Sequence, residues 1–309
     1  ALINRWYEDV ASLNLSYNTL RSYKSIIKNH IQGEIGHLKL TSITPILMQK
    51  FLVDKSKYCG NTTLLHTKII LKSVLDFAVK QKLIKQNPIN LIEGVGKRKK
   101  RIKDTFLTKE DITHILSEIK DTDYYLPALI AINTGMRRGE VLGLTWDDID
   151  LDNHIIDVNK QLLTTRDGLI FSDLKTAKSK RRFLITHSFA ETLKQFKCSQ
   201  IKRKDDYEQH YYTEFDFVCC RKDGRPINPD CITTFFTNKS KNLDLPFSFH
   251  DFRHAHASLL LEADVNVKVI QERLGHSQIS TTLDVYSHIT HKLERDSITK
   301  FEKVFATQS

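Results

Sequence analysis

His250, Arg253, His276 and Tyr286 fall within one stretch, HDFRHAHASLLLEADVNVKVIQERLGHSQISTTLDVYSH, which runs from His250 to His288. Residues three apart on a helix share a face, so His250 and Arg253 would project together. The apolar residues Ala255, Leu259, Leu260 and Leu261 predict a buried helix that ends near Asp264. A second short helix fits Val267 to Leu274, with Gly275 as its C-cap. His276 follows at once, and Ser280-Thr281-Thr282 opens a further helical turn that carries Tyr286. An arginine fork matches phosphate oxygens and stays charged at any working pH. A tyrosine hydroxyl becomes a covalent nucleophile once a neighbour takes its proton, and histidine is the usual neighbour. Any one of these residues alone reads as packing or surface. Together they point to attack on a phosphodiester.

The combination H-x-x-R, then L-G-H, then a tyrosine ten residues later resembles the C-terminal signature of the tyrosine recombinases, or phage-type integrases. TGMRRGEVLGLTWDDID (Thr134 to Asp150) is similar to the family's first arginine box, and KTAKSKRRFLI (Lys175 to Ile185) to its lysine hairpin. Three boxes in the family's order span about half of the chain. The resemblance implies six catalytic positions: Arg137, Lys175, His250, Arg253, His276 and the nucleophile Tyr286. It also implies a 3′-phosphotyrosyl intermediate with a free 5′-hydroxyl, with no metal and no cofactor. In that scheme His250 is the base, Lys175 the acid and His276 a phosphate hydrogen bonder. Arg137 and Arg253 clamp the non-bridging oxygens. Glu140, three residues after Arg137, either orients it or is a plain helix-surface charge. Arg138 reads as surface or a backbone contact.

The elements that must position these residues can be read from the whole chain. Its 309 residues suffice for two domains, and 40% hydrophobic against 27% charged residues predicts packed cores rather than disorder. The formal charge of +10 favours a polyanionic partner. No apolar run reaches the ~20 residues that span a bilayer, and the start lacks a signal-peptide pattern. Five cysteines (Cys59, Cys198, Cys219, Cys220, Cys231) at irregular spacing argue against a disulfide framework and against a zinc site. The chain begins at Ala1, so it reads as a fragment of a longer protein. An arm-DNA-binding domain that many integrases carry would lie ahead of it.

Residues 1–93 read as a helical core-DNA-binding domain of four helices. Ile3, Trp6, Tyr7 and Val10 mark the first, and Leu20, Tyr23, Ile27 and Ile31 the second. The third opens after Thr44 with Pro45 in its first turn. The fourth follows Asn61 and continues until Asn87-Pro88. Residues 94–105 form a basic linker in which Lys97, Arg98, Lys99, Lys100 and Arg101 are candidate phosphate contacts; a flexible joint or a localisation signal is the plainer reading. Residues 106–309 form the catalytic domain, opening on a capping box at Thr108–Asp111. Helices are predicted over 124–133, 188–204 and 230–242, and strand-like segments over 154–158, 169–174, 182–185 and 215–219. Arg137 should begin a helix whose N–H groups also favour an anion. Lys178, Lys180, Arg181 and Arg182 are either phosphate contacts or solvated charge. The tail from Ile289 to Phe305 packs on its own core or is donated to a neighbouring protomer.

The expected fold is therefore mainly α with a small antiparallel β-sheet in the C-terminal domain. The resemblance makes it a two-domain DNA clamp. The expected function is site-specific recombination of double-stranded DNA by a homotetramer, for integration and excision of a mobile element. An accessory DNA-bending or excision factor is a further partner that the resemblance suggests, and no membrane partner is expected. The expected location is the cytoplasm, with the nucleoid. Chromosome-dimer resolution, a type IB topoisomerase and a non-catalytic DNA-binding protein of the same fold are the alternatives.

Overall fold

The computed structural model describes residues 2–94, 107–174 and 179–275. The chain divides into two compact units, 1–102 and 103–309. Its described residues are mostly helical, with two small antiparallel sheets.

The first unit holds four helical runs. The first comprises α1 (Leu2–Trp6), a π-helical stretch (Tyr7–Ala11) and α2 (Ser12–Asn14). The second comprises α3 (Tyr17–Ile26), another π-helical stretch (Ile27–Gln32) and α4 (Gly33–Ile35). The third, α5 (Pro45–Ser56), starts where the Thr44 hydroxyl accepts from the Leu47 N–H. That side chain satisfies one of the donors a helix N-terminus leaves orphaned. The fourth, α6 (Asn61–Lys80), supplies Leu64, Ile70, Leu71, Val74 and Leu75 to a core shared with Trp6, Ile31, Met48 and Leu52. Full burial of each such side chain stabilises the fold by about 1.5–3 kcal/mol before conformational entropy is counted.

α6 ends earlier than its sequence implies. The Lys82 N–H bonds to the Val79 carbonyl and the Leu83 N–H to the Ala78 carbonyl, with Lys82 left-handed at φ 58°. This is a Schellman ending with lysine in the position usually held by glycine, so composition does not announce it. Asn87, expected to stop the helix, instead caps a short 3-10 turn (Pro88–Leu91) and donates to Asp76 and to the Lys72 carbonyl.

The second unit opens with α7 (Lys109–Glu118), where Thr108 and Asp111 bond reciprocally. α8 (Tyr125–Thr134) and α9 (Arg138–Leu142) follow, separated by the turn that carries Arg137. Then come β1 (Ile149–Asp150), β2 (Ile155–Val158), β3 (Lys160–Thr165), β4 (Gly168–Asp173) and β5 (Arg181–Leu184). β1, β2 and β5 form one sheet, with Ile156 opposite Phe183; β3 and β4 form the other, with Leu162 opposite Phe171. The two strands flanking the lysine-rich segment therefore belong to different sheets and do not pair with each other. β3, outside the strands predicted from sequence, is the hairpin partner of β4. Phe217, in the stretch expected to be extended, makes an isolated antiparallel bridge to Thr145.

α10 (His187–Tyr207), α11 (Pro229–Asn242), α12 (Phe249–Glu262) and α13 (Val267–Leu274) complete the described part. The core joins Ile115, Ile130, Met136, Leu142, Trp146, Ile156, Phe217, Phe236 and Phe252. Two glycines set how closely elements approach the arginine-bearing turn. Gly143 lets α9 lie on β3, since a Cβ there would sit 2.8 Å from the Leu162 nitrogen. Gly135 ends α8 left-handed at φ 68°, and a Cβ would meet Leu274 Cδ2 at 2.5 Å and His256 Cδ2 at 2.7 Å. Any side chain at residue 135 would meet both a backbone penalty and a collision.

Candidate active site

Arg253 sits in the second turn of α12 and is 3% exposed. Its Nη1 donates to the Gly135 carbonyl at 2.6 Å and its Nη2 to the Leu274 carbonyl at 2.7 Å. Arg137 donates from Nη2 to the Gly275 carbonyl at 2.9 Å and from Nη1 to Glu140 Oε1 at 2.8 Å. Both forks thus grip the end of α13, where the last carbonyls of a helix lack intrahelical donors and carry the negative end of its dipole. Burial lowers the Arg253 pKa to about 9, the nearby Arg137 guanidinium adds to that, and Glu140 opposes it. Arg253 remains a cation at neutral pH.

Glu140 is the counter-charge, with its side chain 1% exposed. Besides Arg137 Nη1 it accepts from the Arg137 backbone N–H at 2.8 Å and from Arg181 Nη2 at 2.9 Å, both through Oε2. Burial pushes its pKa up, but the guanidinium of Arg181, then that of Arg137, outweighs burial and holds the carboxyl below its ordinary range. The Arg137 N–H, expected from the sequence to help bind an anion, is consumed by this contact, and α9 is only five residues long. Among the described residues of the cluster, the guanidiniums of Arg137 and Arg181 bond one carboxylate and that of Arg253 feels its charge, an excess of two positive charges. Buried charge is costly unless it is paired, so this excess favours an anion with several acceptor oxygens. The Arg137 side chain is 37% exposed and is the member of the cluster that solvent reaches.

His250 lies in the first turn of α12, entered through a Ser248–Asp251 capping box. The residue is exposed, yet enough protein surrounds it that desolvation leads in lowering its pKa to about 4. The His254 ring, edge-on at 4.7 Å, and the Arg253 charge push the same way. A histidine with its pKa below 6.5 is neutral at pH 7 and can accept a proton. Titration of the free protein followed by histidine ring NMR signals should place the His250 midpoint near 4. A midpoint at or above the ordinary value would remove the electrostatic basis for this role.

A second layer of contacts fixes α13, and the sequence reading did not anticipate it. Arg273 donates from Nε to His256 Nε2 at 3.1 Å and from Nη1 to the Leu184 carbonyl of β5 at 2.8 Å. Its guanidinium lies 4.7 Å from the Phe183 ring centroid. His256 Nδ1 is 2.8 Å from the Ile132 carbonyl, so the network requires the neutral Nδ1–H tautomer. Burial, together with the Arg273 charge, lowers the His256 pKa to about 4, in keeping with that tautomer.

Of the residues singled out from sequence, Arg137, Glu140, His250 and Arg253 are brought together at the junction of α8, α9, α12 and α13. Lys175, Lys178, His276, Tyr286 and the linker residues Lys97, Arg98, Lys99, Lys100 and Arg101 lie outside the described residues. So does the tail. Lys180 is exposed, with Nζ 3.6 Å from Asp173. Arg138 donates to the Thr233 hydroxyl. Arg181 departs from its expected place as a phosphate contact or solvated charge. Its side chain is 6% exposed, and its guanidinium is spent on Glu140 and on the carbonyls of Arg273 and Ser179. The alternation of β5 puts Arg181 on the same face as the partly buried Phe183, with Arg182 between them. That period of two was the available signal; a strand start read at Arg182 concealed it.

Comparison with known proteins gives a family and a fold. Residues 105–292 match the phage integrase family, and residues 1–56 match the phage integrase N-terminal SAM-like domain. The chain is 29% identical to the integrase of Staphylococcus phage L54a, over 98% of this chain and 92% of that one. It is 28% identical to the ICEBs1 integrase of Bacillus subtilis, over 92% and 77% respectively. Among solved structures it resembles the Tn1549 transposon integrase in complex with transposon right end DNA, at a TM-score of 0.78 and 21% identity, covering 97% of this chain and 98% of that one. It also resembles a lambda integrase dimer bound to a core site, at a TM-score of 0.67 and 18% identity, covering 92% and 75%.

Proposed function

Because the chain belongs to the phage integrase family, we propose that it cuts and rejoins double-stranded DNA at specific sites to integrate and excise a mobile element. The observation that carries this reading is the cluster of Arg137, Arg181 and Arg253 about the buried carboxylate of Glu140, which leaves positive charge for a phosphate. Relatives named as the integrase of a phage, the ICEBs1 integrase and the transposase of transposon Tn916 support the mobile-element role.

In the proposed reaction the Tyr286 oxygen attacks the scissile phosphorus in line. The bond from phosphorus to the 5′-oxygen breaks and a 3′-phosphotyrosyl ester forms. His250, neutral at pH 7, takes the tyrosine proton, and Lys175 gives one to the departing 5′-oxygen. His276 donates a hydrogen bond to the phosphate. Arg137 and Arg253 hold the non-bridging oxygens, and such contacts lower the barrier where they strengthen as charge develops in the transition state. Attack by a 5′-hydroxyl of another strand reverses the step, and no nucleotide hydrolysis is needed because the ester conserves the bond.

Exchange of four strands calls for four protomers, so the working form is a homotetramer on DNA. The basic residues 97–101, with Lys178 and Lys180, add phosphate contacts that salt weakens, and an accessory bending or excision factor completes the complex. No helix among the described residues is long and apolar enough to cross a membrane. The proposed location is the nucleoid.

A supercoiled plasmid carrying two candidate element ends tests the reading. Site-dependent deletion or inversion products are expected, from protein that gel-shift and crosslinking show as multimers on the DNA. Relaxation by monomers without site preference would instead make the protein a type IB topoisomerase.

A further inference from the structure

We propose that Arg181 is a positioning residue for the phosphate clamp. It fixes Arg137 through the carboxylate they share and completes a three-arginine grip on the end of α13. Three consecutive carbonyls there each accept from a different guanidinium: Arg273 from Arg181 Nε at 2.6 Å, Leu274 from Arg253 Nη2 at 2.7 Å, and Gly275 from Arg137 Nη2 at 2.9 Å. The three donors come from β5, from α12 and from the turn before α9. Arg181 thus ties the sheet to the same three-residue segment as the two arginines of the clamp, beside the bond from Arg273 to the Leu184 carbonyl.

The second tie runs through Glu140. Its Oε2 receives Arg181 Nη2 at 2.9 Å and the Arg137 backbone N–H at 2.8 Å, leaving Oε1 to orient the Arg137 fork. With Arg181 gone, Glu140 would keep only contacts from Arg137, the most exposed of the three arginines, and the carboxylate would be free to turn with it. Arg181 itself is too enclosed to reach a phosphate, at 6% side-chain exposure. Its effect therefore passes through the groups it holds, first the Glu140 carboxylate that orients Arg137 and second the end of α13. A shift of about 1 Å in a group that binds the reacting atoms can cost on the order of 100-fold in rate.

This inference rests on the proposed strand-cleavage activity, and the test separates the two. Single-turnover formation of the covalent complex is measured on nicked duplexes with either an ordinary scissile phosphate or a methylphosphonate there. The methylphosphonate lacks one charged oxygen and asks less of Arg137. Wild type, Arg137→Ala and Arg181→Lys are run in parallel. Absence of covalent complex with wild type would be a failure of the functional reading. Given wild-type cleavage, Arg181→Lys should lose about 10–100-fold on phosphate and less than about 3-fold on methylphosphonate, following the pattern of Arg137→Ala. Any fraction of misfolded variant lowers both rates alike and cancels in their ratio. An equal loss on both linkages, or no loss on either, overturns the proposal.

Discussion

Arg253→Ala should reduce covalent-complex formation by at least about 100–1000-fold, the range found when one preorganised donor to a developing oxyanion is removed. The argument is geometric as well as electrostatic. Arg253 is almost wholly enclosed, and its two terminal nitrogens tie Gly135, at the end of α8, to Leu274, at the end of α13. Alanine would delete the charge and orphan both carbonyls, and an unsatisfied buried acceptor costs about 1–3 kcal/mol in its own right. Arg253→Lys separates the effects, because it keeps the charge but cannot bridge two carbonyls with a planar fork. Lysine should therefore recover some folding stability and little of the rate. Single-turnover trapping alongside thermal melting reads both quantities. An Arg253→Ala rate within tenfold of wild type would mean that this arginine does not touch the reacting phosphate.

Glu140→Gln should cost the folded state about 3 kcal/mol, because it leaves the buried Arg181 guanidinium with no compensating charge, while Arg137 stays partly solvated. The shape of the amide is nearly that of the carboxylate, so the effect isolates charge from packing. The pH dependence has a definite sign. The folded-state pKa of Glu140 is held below its ordinary 4.5, so its contribution is fully present above that value and is lost as pH falls through the folded pKa. Denaturant unfolding should accordingly show a large difference between wild type and variant at neutral pH that closes in acid. A difference unchanged down to about pH 2, below the ordinary carboxylate range, would show that the carboxylate charge is not what holds the arginines.

Much of this site can be read from the chain because its parts are local. Thr108–Asp111, Val267–Leu274 with Gly275, and Gly135 after α8 are signals whose cause and effect lie within one turn of helix. His250 and Arg253 share a helix face for the same reason, and Glu140 follows Arg137 by three residues. What stayed hidden depends on partners far along the sequence. Arg181 stands in a lysine-rich run and reads as surface, yet its partners are 41 and 92 residues away. His256 lies 124 residues from the carbonyl it meets, so nothing local names its partner. The end of α6 was obscured for another reason, since Lys82 adopts a conformation that composition assigns to glycine. The order of the strands was hidden because two short sheets share one stretch of alternating sequence, and only pairing tells them apart.

Covalent trapping on a nicked suicide duplex tests the central claim most directly. Candidate element ends are incubated with wild type and with Tyr286→Phe, quenched in detergent, and resolved by size with and without a chelator. The account predicts a shifted protein–DNA band from wild type that survives chelation and is absent with Tyr286→Phe. Tight DNA binding with no covalent band on any substrate, or a band that persists in Tyr286→Phe, would contradict it.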